Sequence, residues 1–160
     1  MMNVLIYCSM LFGNVESSLL IVFLCFRNQI VNLTDSYYLN FRNTLTTLFL
    51  GENQITTIPN DFFSSFKRLL WLNLDNNHIR EVSSHSLAST IHTLSLSSNQ
   101  IRSFPLEAIE SLTSLTWFKL RGNYIETIPE LPFRHVIRFE FLRRCTANCV
   151  QLEWTWHPFN

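Results

Sequence analysis

The sequence predicts an α/β solenoid. This is a right-handed horseshoe segment, with short parallel strands side by side on the concave face and mostly irregular or 3-10 turns on the convex one. Three observations predict it. The frame Leu-x-x-Leu-x-Leu-x-x-Asn-x-Ile, with occasional Ile or Phe for Leu, occurs at Leu45 (LTTLFLGENQI), Leu69 (LLWLNLDNNHI), Ile91 (IHTLSLSSNQI) and Leu115 (LTWFKLRGNYI). The asparagines that close it, Asn53, Asn77, Asn99 and Asn123, lie 24, 22 and 24 residues apart. A degenerate copy, LIVFLCFRNQI from Leu20, places Asn28 25 residues before Asn53. A frame returning at this period marks stacked coils, because each coil leaves an apolar face open above and below that only a neighbour can bury.

The physics of one coil accounts for its residues. From Leu45 to Leu50 the chain is a short strand, so alternate side chains point to opposite faces. Leu48 and Leu50 turn inward, and Leu45, Ile55 and Ile58 reach the same core from the bends. Asn53 stands where the chain leaves the strand and backbone groups lose their partners. An amide side chain both donates and accepts there. The expected result is a structural ladder of Asn28, Asn53, Asn77, Asn99 and Asn123, beside strands near residues 46–50, 70–74, 92–96 and 116–120.

Residues 1–19 support two readings, a cleaved leader or an eroded repeat or cap. Val4 to Phe12 is an apolar run of signal-peptide size, although no Lys or Arg precedes Arg27. Asn3-x-Leu5-x-x-Cys8 fits the tail of an earlier repeat. Asn14 and Glu16 divide the apolar residues into runs too short to cross a bilayer.

Residues 20–144 form the array, about five to six coils. In its first coil Phe23 and Cys25 take the inward places, so Cys25 is expected as a small buried hydrophobe rather than a reactive thiol. Asn32-Leu33-Thr34 is the chain's N-x-[ST] sequon, and Asn32 is a candidate glycosylation site in a secreted protein. Tyr38 and Phe41, Phe63 and Phe66, and Ile109 and Leu112 share offsets from their asparagines and form an apolar spine on the convex side. Pro59 and the short length restrict that side to 3-10 or irregular turns. The coil at 69–90 is two residues shorter and keeps Val82 and Leu87, whereas the coil at 91–114 has Phe104-Pro105 where Ile58-Pro59 stands earlier. The coil from Leu115 feeds one more strand, Val136-x-x-Phe139-x-Phe141, and Arg144 then takes the asparagine's place. Residues 145–160 do not repeat and are expected to be a tail or partial cap. Neither end continues the stack, so both are expected as weak points.

The period, with Ile-Pro or Phe-Pro ahead of an apolar spine, resembles the typical 24-residue class of leucine-rich repeat. That class is found mostly in extracellular proteins of the chaoptin, Slit and Toll type. Asn77-His-Ile, Asn99-Gln-Ile and Ile128-Pro-Glu-Leu-Pro are most similar to the chaoptin-like adhesion proteins. The resemblance runs from Leu20 to about Phe141 and implies protein–protein recognition of the adhesion or receptor kind, although a fold does not by itself establish a function. The chain departs from the class in its leader, in lacking an N-terminal cysteine cap, and in having only Cys145 and Cys149 toward a C-terminal one. A fragment of a longer array would look this way. The alternative is an intracellular scaffold or regulatory subunit using the same face, and a remoter one is the substrate-recognition part of an enzyme. Oxidised cysteines and a glycan at Asn32 would favour the extracellular reading.

Composition limits the partners. Twelve basic and twelve acidic residues leave no net charge, which argues against nucleic acid or an anionic membrane surface. Asp75, His92 and Ser95 or Ser97 come from neighbouring strands, but a Ser-His-Asp arrangement needs a buried acid and an oxyanion hole that a smooth sheet does not offer. No enzyme activity is expected. Cys145, Cys149, His135 and His157 match no standard zinc spacing, so no metal or cofactor is expected. Arg134, Arg138, Arg143 and Arg144, with Glu140 among them, read as a solvated terminal coil.

The surface left for function is the concave sheet, and its expected partner-binding residues are Phe49, Trp71, Asp75, Thr93, Trp117, Lys119 and Arg121. Trp71 and Trp117 hold the same place two coils apart, about 10 Å from each other, with Thr93 leaving a shallow notch between them. An open notch with apolar anchors and flanking charges suits a protein and suits a small-molecule substrate poorly. A second reading of the indoles is packing along the sheet with Phe49.

Overall fold

In the computed structural model, which describes residues 9–15, 18–33, 39–127, 136, 138–142 and 153–156, the repeated frame folds as stacked coils joined by one sheet. Its strands are β1 (Ser9–Val15), β2 (Ser18–Leu24), β3 (Thr47–Phe49), β4 (Trp71–Asn73), β5 (Thr93–Ser95), β6 (Trp117–Lys119), β7 (Arg138–Leu142) and β8 (Glu153–Trp156). They lie in sequence order across the sheet. Strands β2 to β7 pair in parallel, each one coil from the next. The frame aligns them residue for residue: Phe23, Leu48, Leu72, Leu94, Phe118 and Phe139 form one inward row, and all are buried.

The regular strands are three residues long, shorter than the frame implies, but coil-to-coil bonding runs past them. The N–H groups of Leu50, Leu74, Leu96 and Leu120 donate to Asn73, Ser95, Lys119 and Glu140 oxygens at 2.8–2.9 Å. The ladder asparagines take over where this bonding ends. Asn77 Nδ2 donates to Leu74 O of its own coil and to Leu50 O of the coil before, both at 3.0 Å, while its Oδ1 accepts the Ile55 N–H at 2.9 Å. Asn53, Asn99 and Asn123 repeat the pattern, with Oδ1 accepting from Ile30, Ile79 and Ile101. All four are buried. Asn28 is half-buried, and its amide donates to Phe26 O at 3.1 Å.

A second periodic feature has no single residue type behind it. The residue before each ladder position has left-handed backbone: Arg27 (φ 56°), Glu52 (55°), Asn76 (54°), Ser98 (55°) and Gly122 (69°). The chain must reverse there for the next amide to face inward. Only Gly122 and Asn76 are residue types that adopt this region readily.

The convex side carries 3-10 turns at Leu39–Phe41 and Phe63–Ser65. In the coil at 91–114 the turn is instead a short α-helix, Leu106–Glu110. Pro105 permits this because a proline at a helix start forfeits no helical bond, and its carbonyl accepts the Ile109 N–H at 3.0 Å. Phe63, Phe66, Ile109 and Leu112 are buried in the spine. Toward the C-terminal coils, Phe118 stacks on Phe139 with centroids 5.5 Å apart, and Phe104 meets both rings edge-on at 6.3 and 6.2 Å.

Two expectations change. Residues 9–15 and 153–156 do extend the sheet, as antiparallel edge strands: Ser9 stands opposite Leu24 and Val15 opposite Ser18, and Phe139 stands opposite Trp156. A chain that doubles back needs no convex return segment, so the repeat frame is not required. Cys25 is fully buried, but it is not merely a small hydrophobe. It is disulfide-bonded, to a partner outside the described residues. The frame shows which way its side chain points and not what lies opposite.

Candidate functional site

Three outward rows cross the sheet. The first is Thr47, Trp71, Thr93 and Trp117, which pair in register from β3 to β6. The second, displaced by two residues, is Phe49, Asn73, Ser95 and Lys119. The third, at the strand exits, is Phe26, Gly51, Asp75, Ser97 and Arg121, each two residues before its ladder asparagine. Thr93 lies directly between the two indoles in the first row.

Trp71 and Trp117 occupy equivalent places but not equivalent environments. Trp71 is 44% exposed, and its only ring neighbour among the described residues is Phe49, at 5.5 Å. Trp117 is half-buried, with Lys119 Nζ 4.4 Å from its ring centroid. A cation over an indole face is attracted by the ring quadrupole, so Lys119 covers one side of the more sheltered indole. In these three rows the exposed aromatic side chains described are Trp71 and Phe26, with half-buried Phe49 beside Trp71 and half-buried Thr93 as the step down from it.

Asp75 is held more firmly than the sequence suggests. Its Oδ1 accepts from the Ser95 hydroxyl and the Ser97 N–H, both at 2.6 Å, and its Oδ2 accepts from Asn73 Nδ2 at 3.2 Å. Asn73 Oδ1 in turn accepts the Asp75 N–H at 3.0 Å. The carboxylate thus bridges two coils in a fixed orientation, and Ser95 is buried beneath it. Arg121 is exposed one coil beyond Ser97 in the same row. Beside Asp75 a shallow cavity of about 230 Å³ is lined by Phe26, Phe49, Gly51, Glu52, Asn73 and Asn76. Gly51 forms part of its wall: a Cβ there would lie 2.9 Å from Asn73 Oδ1. Glu52 pairs with Arg27 at 2.8 Å on the rim, both exposed.

Phe26 is a site residue that sequence reasoning missed, as are the bonds by which Asn73 and Ser95 hold Asp75. Phe26 is 47% exposed and sits at the same offset from Asn28 as Asp75 does from Asn77. Extending the row through the degenerate coil would have found it. The serine and asparagine that hold Asp75 carry no sequence signal beyond their places in the frame.

The candidate catalytic residues do not form a relay. Ser95 and Asp75 bond to each other, but exposed His92 has its Nδ1 2.9 Å from Thr90 O. Among the described residues no group of His, Cys, Asp and Glu is placed to hold a metal ion. The candidate zinc ligands His135, Cys145, Cys149 and His157, and the basic residues Arg134, Arg143 and Arg144, lie outside the described residues. Asn32 is exposed, and Thr34 of its sequon lies outside the described residues. No described helix is long and apolar enough to cross a membrane.

Comparison with known proteins agrees with this architecture. A leucine-rich repeat family model matches residues 19–79 and 43–90, and a second leucine-rich repeat model matches 90–112, so together they cover more than half of the chain. Among solved structures, an internalin (InlF) from Listeria monocytogenes is similar over 64% of this chain, at 32% identity and a TM-score of 0.53. The match spans 28% of the internalin. A TLR13–ssRNA13 complex is similar over 63% of this chain and 18% of its own, at 28% identity and a TM-score of 0.47. No curated protein matches the chain in sequence. With the frame, the parallel rows and the matched models in agreement, the chain belongs to the leucine-rich repeat family.

Proposed function

We propose that the chain is a non-enzymatic protein-recognition module of an extracellular or cell-surface protein, of the adhesion or receptor kind, and that its partner docks on the concave face around Phe49, Trp71 and Asp75. The observation that carries this is the exposed indole of Trp71 beside Phe49, at outward strand positions where no core is left to fill. Exposed aromatics supply most of the affinity at protein interfaces, and a fixed charge beside them sets orientation. Asp75, locked by three hydrogen bonds, has the rigidity for that second task. Thr93, Trp117, Lys119 and Arg121 extend the same face. The disulfide at Cys25 supports the compartment, since disulfides persist where the surroundings are oxidising. Exposed Asn32 is available to a glycan.

The test stains cells with a multimer of the labelled chain, with and without protease or ribonuclease treatment of the cells. Protease should abolish staining and ribonuclease should not. Trp71→Ala should weaken binding by about 2 kcal/mol, roughly thirtyfold, with unchanged circular dichroism. Staining that survives protease and is lost with ribonuclease would replace the protein partner with a nucleic acid. A reduced Cys25 in the native protein would move the module to the cytosolic scaffold reading.

A further inference from the structure

On the side away from the sheet, a cavity of about 390 Å³ opens between the coil at 69–90 and the coil at 91–114. It arises from a local mismatch. The second coil carries Phe104-Pro105 and the helix Leu106–Glu110. The first, at the same offsets from its asparagine, carries Val82, Ser83 and Ser84 and forms no helix. Small side chains against a bulky turn leave open space. Val82, Phe104 and Leu106 line it and are only half-buried, so apolar surface is presented at its floor.

The walls are held in place. Ser83 Oγ donates to Asn60 Oδ1 at 2.6 Å, and Ser86 Oγ donates to Ser83 O at 2.8 Å, which ties the serine segment to the preceding coil and to itself. The Asp61 and Phe63 N–H groups donate to His85 and Ser86 oxygens at 3.1 and 3.0 Å. The opposite wall is the helical turn. The charged residues lining the cavity are Glu81 and Glu107, both exposed. Arg80 and Arg102 are sequence neighbours of lining residues but do not line it themselves.

We propose that this groove is a second protein-binding site, and that it takes an extended partner segment presenting one apolar side chain between Lys or Arg residues. The apolar floor accepts the central side chain, and the carboxylates of Glu81 and Glu107 meet the flanking cations. An open groove with an apolar floor and a rim of serines and glutamates suits a peptide segment better than an enclosed small molecule, and charge complementarity selects among segments of equal hydrophobicity. The site is independent of the concave face: no residue is shared, and the two lie on opposite sides of the core. A partner could engage either one alone.

The test is a heteronuclear NMR titration of the full chain with two probes, acetyl-Arg-Leu-Arg-amide and acetyl-Glu-Leu-Glu-amide. The basic probe should shift the amides of Ser84, Leu106 and Ala108 and leave those of Trp71 and Asp75 in place, with roughly tenfold tighter binding than the acidic probe. In the Glu81→Lys/Glu107→Lys double variant the preference should reverse. Both residues are exposed, so the fold is expected to survive, and the spectrum itself reports that. Equal shifts from both probes, shifts confined to the concave face, or an unchanged preference in the double variant would each overturn the proposal.

Discussion

Two rows of side chains cross the same coils under opposite constraints. The amides of Asn53, Asn77, Asn99 and Asn123 are one residue type in one place with one set of bonds. The first outward row, through the same coils, reads Thr47, Trp71, Thr93 and Trp117. The amide row is uniform because each member completes backbone groups of two coils, and no shorter or apolar side chain can do so. The outward row is varied because its side chains are not called on to complete that ladder, although Thr47 is buried and Trp117 half-buried. Within this one chain, uniformity marks what the architecture requires and variation marks what is left free for the proposed partner.

The sharpest way to break that contrast is at the uniform row. Asn99→Ala strands Leu74 O, Leu96 O and the Ile79 N–H in a buried setting. A loss of about 3 kcal/mol is expected from denaturant melts, at the upper end for unsatisfied buried groups. An unchanged midpoint would remove the ladder as a cause of stability. Trp71→Ala in the varied row should shift stability by no more than about 0.5 kcal/mol, as for an exposed position, while binding falls. A large loss of stability there would mean that the indole packs rather than recognises.

The left-handed row gives two finer tests. Gly122 has φ 69°, and a Cβ there would come within 3.2 Å of Ser98 Oγ and 3.4 Å of Ser98 Cα. Gly122→Ala should therefore destabilise by about 1–2 kcal/mol. Ser98 has the same conformation without being glycine. Ser98→Gly should stabilise by about 0.5 kcal/mol, because relief of the left-handed conformation slightly exceeds the added freedom of the unfolded chain. A destabilised Ser98→Gly would mean that the hydroxyl makes a contribution that the backbone argument omits.

The same contrast explains what was legible in the sequence. The inward row from Phe23 to Phe139 and the asparagine positions follow from spacing alone, because a coil that buries Leu48 and Leu50 leaves its neighbours little choice. Three features were not legible. Arg27, Glu52 and Ser98 give no hint of left-handed backbone, since tertiary bonding holds them there against their own preference. Strands β1 and β8 lie outside the repeat and pair by doubling back, which no periodicity reports. At the candidate site, Trp71 and Trp117 are indistinguishable as letters. Their described neighbours differ: Phe49 lies beside one indole, and Lys119 lies over the other.

The sharing of ladder carbonyls has a mechanical consequence. Leu50 O accepts from both Asn53 and Asn77, and Leu74 O from both Asn77 and Asn99, so the amides form a continuous chain of couplings along the solenoid axis. Force applied across the ends cannot slide one coil out of the middle. It must peel coils from a terminus, each rupture freeing one repeat of about 24 residues, or roughly 80 Å of extended chain. Under load the array lengthens coil by coil, in steps of 22 to 24 residues, while the coils still stacked keep their sheet intact.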